Sequence, residues 1–105
     1  MNELVVSEIQ IIPVKFKDGL VAFASCVINN QLYLGNLAIY TSPSSPDGFR
    51  LVYPSRPLNG KQLSIAHPIN KETGFLIQKQ IVEQYLKLME NLTKGEDKNG
   101  QSRYT

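Results

Sequence analysis

Hydrophobic and polar positions along the chain change their rhythm twice. From Val5 to Val14 the residues are mostly β-branched, which predicts a strand. Val5, Ile9 and Ile11 fall on one face, and Ile12, Val14 and Phe16 on the other, so the parity slips near Pro13 and places a bulge or an edge position there. Lys17-Asp18-Gly19 reads as a turn, because Asp-Gly tolerates positive φ. Leu20 to Ile28 is a second strand, Asn29-Asn30-Gln31 a second turn, and Leu32 to Thr41 a third strand, which together make a meander. Two proline-containing loops, "TSPSSPDG" and "PSRPLNG", frame a short strand from Phe49 to Tyr53, and Lys61 to Ala66 reads as a further short strand. His67-Pro68 ends the pairing, since the residue before a proline is pushed out of the helical region and the proline has no N–H.

Beyond that corner the period becomes helical. Ile77, Ile81, Val82, Tyr85, Leu88, Met89 and Leu92 recur at three and four, which predicts an amphipathic helix from Phe75 to Leu92 of about five turns, capped by Asn70 or Thr73. The expected fold is therefore α+β, an antiparallel sheet followed by a C-terminal amphipathic helix. It occupies residues 1–92 as a single domain, with a flexible tail over 93–105.

The second and third strands are apolar on both faces. In the second, Val21, Phe23 and Val27 point one way while Leu20, Ala22, Cys26 and Ile28 point the other. One helix layer leaves one of those faces wet, so a homodimer is expected, with the loop from Thr41 to Gly48 as the alternative cover.

Composition narrows the chemistry. The 105 residues suffice for one modest core. There is no run of about 18 apolar residues to cross a membrane, and the start "MNELVVSEIQ" lacks the pattern of a signal peptide. A single cysteine cannot form an internal disulfide, and a cytoplasmic location is expected. Net charge is only +2, but its distribution is uneven: Phe49 to Lys71 holds four cations, Arg50, Arg56, Lys61 and Lys71, and no acid. That stretch reads either as a solvated loop or as a small patch for phosphates. On the helix, Lys79, Glu83, Lys87, Glu90 and Lys94 alternate in sign at turn spacing. Such a face is self-paired and is not a basic recognition helix.

An active site would need a constellation that the chain does not offer. Cys26 sits in an apolar strand, where a thiol is inert. One histidine and one cysteine give no zinc spacing, and no glycine-rich phosphate loop or nucleophile elbow occurs. No enzymatic activity and no cofactor are expected. His67 reads as a structural residue at a strand-to-helix corner, bonding a carbonyl or capping the turn.

The segment "LVYPSRPLNGKQLSIAHPINKETGFLIQKQIVEQY" resembles the SpoVG family of small bacterial septation and sporulation regulators. Pro54-Ser55 with Arg56, the Asn59-Gly60 turn and "IAHPIN" from Ile65 to Asn70 carry the resemblance, and the helix reaching Tyr85 follows at the family's distance. Asp18-Gly19 and Phe23 to Ser25 agree upstream, so roughly Glu8 to Leu88 is covered. The resemblance implies a homodimeric α+β protein that binds DNA and RNA with low sequence specificity and influences gene expression and cell division. Arg56 and Lys61 would then contact phosphates, with Arg50 and Lys71 in support. Where the family usually has adjacent basic residues after Pro-Ser, this chain has Arg56 followed by Pro57, and Gln10, Ile12, Leu20 and Ala22 stand where arginines are expected. Each loss lowers the electrostatic attraction to phosphates. The alternative reading is a protein-interaction module of the same fold, using the apolar sheet face with Phe49 and Tyr53.

Overall fold

A computed structural model describes residues 4–99, with side chains described through residue 92. β1 (Val6–Lys17), β2 (Leu20–Ile28), β3 (Leu32–Thr41) and β4 (Phe49–Val52) form one antiparallel sheet in the order β1-β2-β3-β4. Residues that accept positive φ make the first two turns: Asp18 (53°) with Gly19 (90°), then Asn29 (52°) with Asn30 (56°). Two left-handed residues in succession match the twist of the strands they join. Asn29 also accepts a hydrogen bond from the Val5 N–H through its side-chain oxygen, at 2.7 Å.

The parity slip expected near Pro13 is present, as a register shift between Pro13 and Lys17, and β1 carries another one upstream. Glu8 has φ 47° and the register shifts between Ser7 and Gln10, so the bulge is there. Val6, rather than Val5, consequently packs on the core with Ile9 and Ile11. Pro13 lies on the outer strand, a position that tolerates a residue without an N–H. A further bulge, at Asn36 (φ 56°) in β3, lets Leu34 and Leu37 face inward together although they are three positions apart.

The segment "PSRPLNG", expected as a loop, is largely strand. β5 (Ser55–Leu58) and β6 (Lys61–Ser64) pair as a separate antiparallel hairpin, turned by Asn59 (φ 52°) and Gly60 (φ 79°). Proline at position 57 argued against a strand, but a two-stranded ribbon consists of two edges, where a missing N–H leaves no ladder bond unmade. β6 ends at Ser64, short of the expected Ala66.

Helix α1 (Lys71–Asn99) begins where Asn70 accepts the Thr73 N–H at 2.8 Å, so Asn70 is the cap and Thr73 its donor. The helix continues beyond Leu92 to Asn99. Residues 100–105 of the expected tail lie outside the described residues. Ile77 and Ile81 of α1 pack into the core with Ala22, Ala24 and Cys26 of β2, and with Leu37, Ile39 and Leu51. The small β2 side chains leave room for the helix isoleucines, while β1 and β4 come closest to the helix backbone. At one end of this layer the Phe49 and Tyr85 rings meet edge to face, with centroids 5.6 Å apart.

The β3–β4 loop is held to the helix side. Asp47 accepts from the Ser45 hydroxyl (2.9 Å) and the Phe49 N–H (3.1 Å). Gln78 of α1 approaches the same carboxylate at 3.4 Å and donates to the Phe49 carbonyl at 2.9 Å. The loop therefore does not cover the opposite sheet face. Burial pushes the Asp47 carboxyl up, but hydrogen bonds from Phe49, Ser45 and Gln78 together outweigh it and hold the group below its ordinary range.

Two consequences are measurable. A lowered folded-state pKa means that the unfolded chain binds the Asp47 proton more readily, so this stabilisation is present above about pH 4 and is lost as pH falls below it. Thermal midpoints measured from pH 6 to pH 2 should fall less steeply at the acid end for Asp47→Asn than for the native chain. Removing the helix cap with Asn70→Ala should cost about 1 kcal/mol in denaturant unfolding, without changing the fold.

Candidate nucleic-acid interface

The hairpin sets the geometry of the candidate site. Its register pairs Ser55 with Ser64, Arg56 with Leu63, Pro57 with Gln62 and Leu58 with Lys61. Directly paired residues point to the same side and neighbours along a strand to opposite sides, so Arg56, Leu58, Lys61 and Leu63 share one face. Arg56 and Lys61 are diagonal neighbours on it, about 7–8 Å apart at the backbone. Every residue of both strands is exposed. The opposite face is tied by the Ser55 hydroxyl, which donates to Gln62 Oε1 at 3.0 Å. At the base, the Ile65 N–H donates to the Pro54 carbonyl at 2.9 Å.

Arg56 and Lys61 are thus brought together, on paired strands rather than at the two ends of a loop. The other two sequence candidates lie elsewhere. Arg50 is on β4, on the sheet face away from α1, with its guanidinium 5.0 Å from the centre of the Tyr40 ring. Lys71 is the first residue of α1, beside Glu72. Among the described residues none of these four cations is in an ion pair, whereas Lys79 pairs with Glu83 at 3.4 Å along the helix. The hairpin leucines were not anticipated as part of the site. Their signal was present in the alternation Arg-Pro-Leu and Lys-Gln-Leu around an Asn-Gly turn, which sets cation and leucine on one face of each strand.

His67 does hold the corner, although its partner is a side chain: the Ser64 hydroxyl lies 2.6 Å from Nδ1. This joins the end of β6 to the approach to α1. Phe49 and Tyr53, assigned on the interaction-module reading to a partner, are turned to the interior instead, Phe49 against Tyr85 and Tyr53 against the core cluster. Burial, and then the neighbouring Cys26, raise the Tyr53 hydroxyl to about 12, and burial pushes the Cys26 thiol up. A thiol so shifted is protonated at neutral pH and is a poor nucleophile. Among the described residues no three His, Cys, Asp or Glu side chains converge as a metal site, and no helix is long and apolar enough to cross a membrane.

With this geometry established, comparison with known proteins places the chain. It is 31% identical over 88 residues to a Bdellovibrio bacteriovorus protein that carries the name septation protein SpoVG, an alignment covering 83% of this chain and 78% of the relative. The SpoVG family model matches residues 4–87, a span that takes in the whole four-stranded sheet, the hairpin and the core-facing part of α1. The chain belongs to the SpoVG family.

Proposed function

We propose that the protein is a homodimeric, nucleic-acid-binding regulator of SpoVG type, acting on gene expression, septation or sporulation with low sequence specificity. The observation that carries this reading is the placement of Arg56 and Lys61, unpaired and exposed, on one face of a hairpin within a stretch free of acids. An unpaired surface cation adds little to folding stability and is available to a phosphate.

The sheet supports the dimer. Ile12, Phe23, Ala38 and Val52 are paired in succession across all four strands on the face away from α1. Ile12 is 61% and Phe23 42% exposed, so the β1–β2 half of this apolar row is open, while Ala38 is buried and Val52 half-buried. Edge pairing is the poorer route to a dimer, because β1 carries a bulge at Glu8 and a proline at position 13, and β4 is only four residues long. A second copy across the open face would double the number of cations presented to a polyanion. A different observation favours the interaction-module reading: Phe75 and Leu86 are exposed on α1 beside Pro46, along a surface groove of about 540 Å³. Recovery of a stoichiometric protein partner after nuclease treatment, with no shift of DNA or RNA probes, would put that reading first.

Replacing Arg56 and Lys61 together with alanine should leave the thermal midpoint close to native, because both are exposed. The double variant should bind DNA and RNA probes more weakly whatever their sequence. Its plot of log affinity against log salt should flatten by about one unit for each phosphate that is no longer neutralised. Unchanged affinity and slope would locate the binding surface elsewhere. For the dimer, Phe23→Glu should convert the sedimenting species to a monomer that keeps its secondary structure. A native chain that sediments as a monomer at micromolar concentration would count against the dimer.

A further inference from the structure

The hairpin exposes two leucines on the face that carries the cations: Leu58 is 47% and Leu63 43% exposed. Leaving apolar side chains in water on a ribbon with an exposed back is unfavourable for an isolated hairpin. A solvated loop or a purely electrostatic patch has no use for them.

Resting on the nucleic-acid reading above, we propose that the β5–β6 hairpin enters the major groove of duplex DNA. There Arg56 and Lys61 meet phosphates, and Leu58 and Leu63 contact the C5-methyl groups of thymine. Four observations lead to this ligand. The strands lie side by side as a two-stranded ribbon, and such a ribbon fits a major groove about 12 Å wide but not a minor groove about 6 Å wide. An A-form RNA major groove is too deep and narrow for side chains to read. The hairpin has no aromatic residue, so it offers no platform for the stacked bases of single strands. Finally, the segment from Phe49 to Lys71 contains no acid to repel a polyanion, and the one base-edge group that leucine can recognise is the thymine methyl. Strands of four residues reach about 13 Å, or roughly four base pairs. The contact would therefore give a preference for A·T-containing stretches and not a long recognition sequence.

The test uses the full chain and three probes of one A·T-rich sequence: duplex DNA with thymine, the same DNA duplex with uracil in place of thymine, and the RNA duplex. Binding is followed by fluorescence anisotropy at several salt concentrations. The native chain should bind the thymine duplex more tightly than the uracil duplex, by about fourfold for each methyl group engaged, and the RNA duplex more weakly still. Leu58→Ala/Leu63→Ala should bind the thymine and uracil duplexes equally, with the native salt slope. The Arg56→Ala/Lys61→Ala variant should lose affinity for both with a flatter slope. Equal native binding to the thymine and uracil duplexes, with the Arg56 and Lys61 dependence intact, would overturn major-groove contact and leave the nucleic-acid reading standing. RNA duplex bound as tightly as DNA would do the same. Binding indifferent to Arg56 and Lys61 would overturn the hairpin contact and locate the binding surface elsewhere, whereas no binding to any of the three probes would overturn the nucleic-acid reading as well. The thymine-to-uracil comparison needs no protein variant, so a folding defect in the leucine variant cannot obscure the result.

Discussion

Helix α1 can cover only one face of the four-stranded sheet, and most of the molecule's organisation depends on how that cover is made. Ile77 and Ile81 settle over Ala22, Ala24 and Cys26, whose small side chains make room for them, with Leu37, Ile39 and Leu51 completing the layer. On the outward row Ile12–Phe23–Ala38–Val52, Ile12 and Phe23 are then left exposed among the described residues. The bulges at Glu8 and Asn36 belong to the same constraint. Each shifts the side-chain parity by one, so that residues on either side of it still reach the helix layer.

The β3–β4 loop illustrates why the outer face stays open. It is long enough to invite the guess that it folds over the sheet, yet Asp47 is engaged by Ser45, Phe49 and Gln78 on the helix side. Gln78 in turn satisfies the Phe49 carbonyl beside the Phe49–Tyr85 contact, so one amide joins loop, strand and helix. Among the described residues the hairpin is tied down at its base, by the Ile65–Pro54 hydrogen bond and the Ser64–His67 contact. What the core does not use is therefore presented outward in two places, an apolar sheet face and a cationic ribbon.

Much of this was legible because the decisive signals are local. The Asp-Gly and Asn-Asn turns, the helical period from Ile77 to Met89 and the cap at Asn70 each follow from a few adjacent residues. The β1 slip near Pro13 was legible from the change of parity, whereas the upstream bulge was not, because Glu8 carries no special turn chemistry. β5 was missed because proline is a general argument against a strand, and only knowledge that the ribbon stands alone removes it. The same omission hid the site: a loop holds Arg56 and Lys61 near each other without fixing which side chains they share a face with. The register fixes that, and adds Leu58 and Leu63.

The hairpin geometry also changes the meaning of the proline after Arg56. Read linearly, Pro57 stands in place of a second basic residue and weakens the patch. In a strand, however, adjacent side chains point to opposite sides, so a cation at position 57 would lie on the face with Ser55, Gln62 and Ser64. The positions that can reinforce Arg56 are two along its own strand or across the ribbon, and Lys61 occupies one of them. Proline in the place of a basic residue therefore removes charge from the back of the ribbon while leaving two cations and two leucines on the front. A ribbon charged on both faces can bridge separate phosphate backbones, whereas one charged on a single face has a defined side to lay against a single duplex. On the nucleic-acid reading proposed above, this chain's departure from the family's usual basic pair would restrict the ways its hairpin can bind, and would not simply subtract from the affinity.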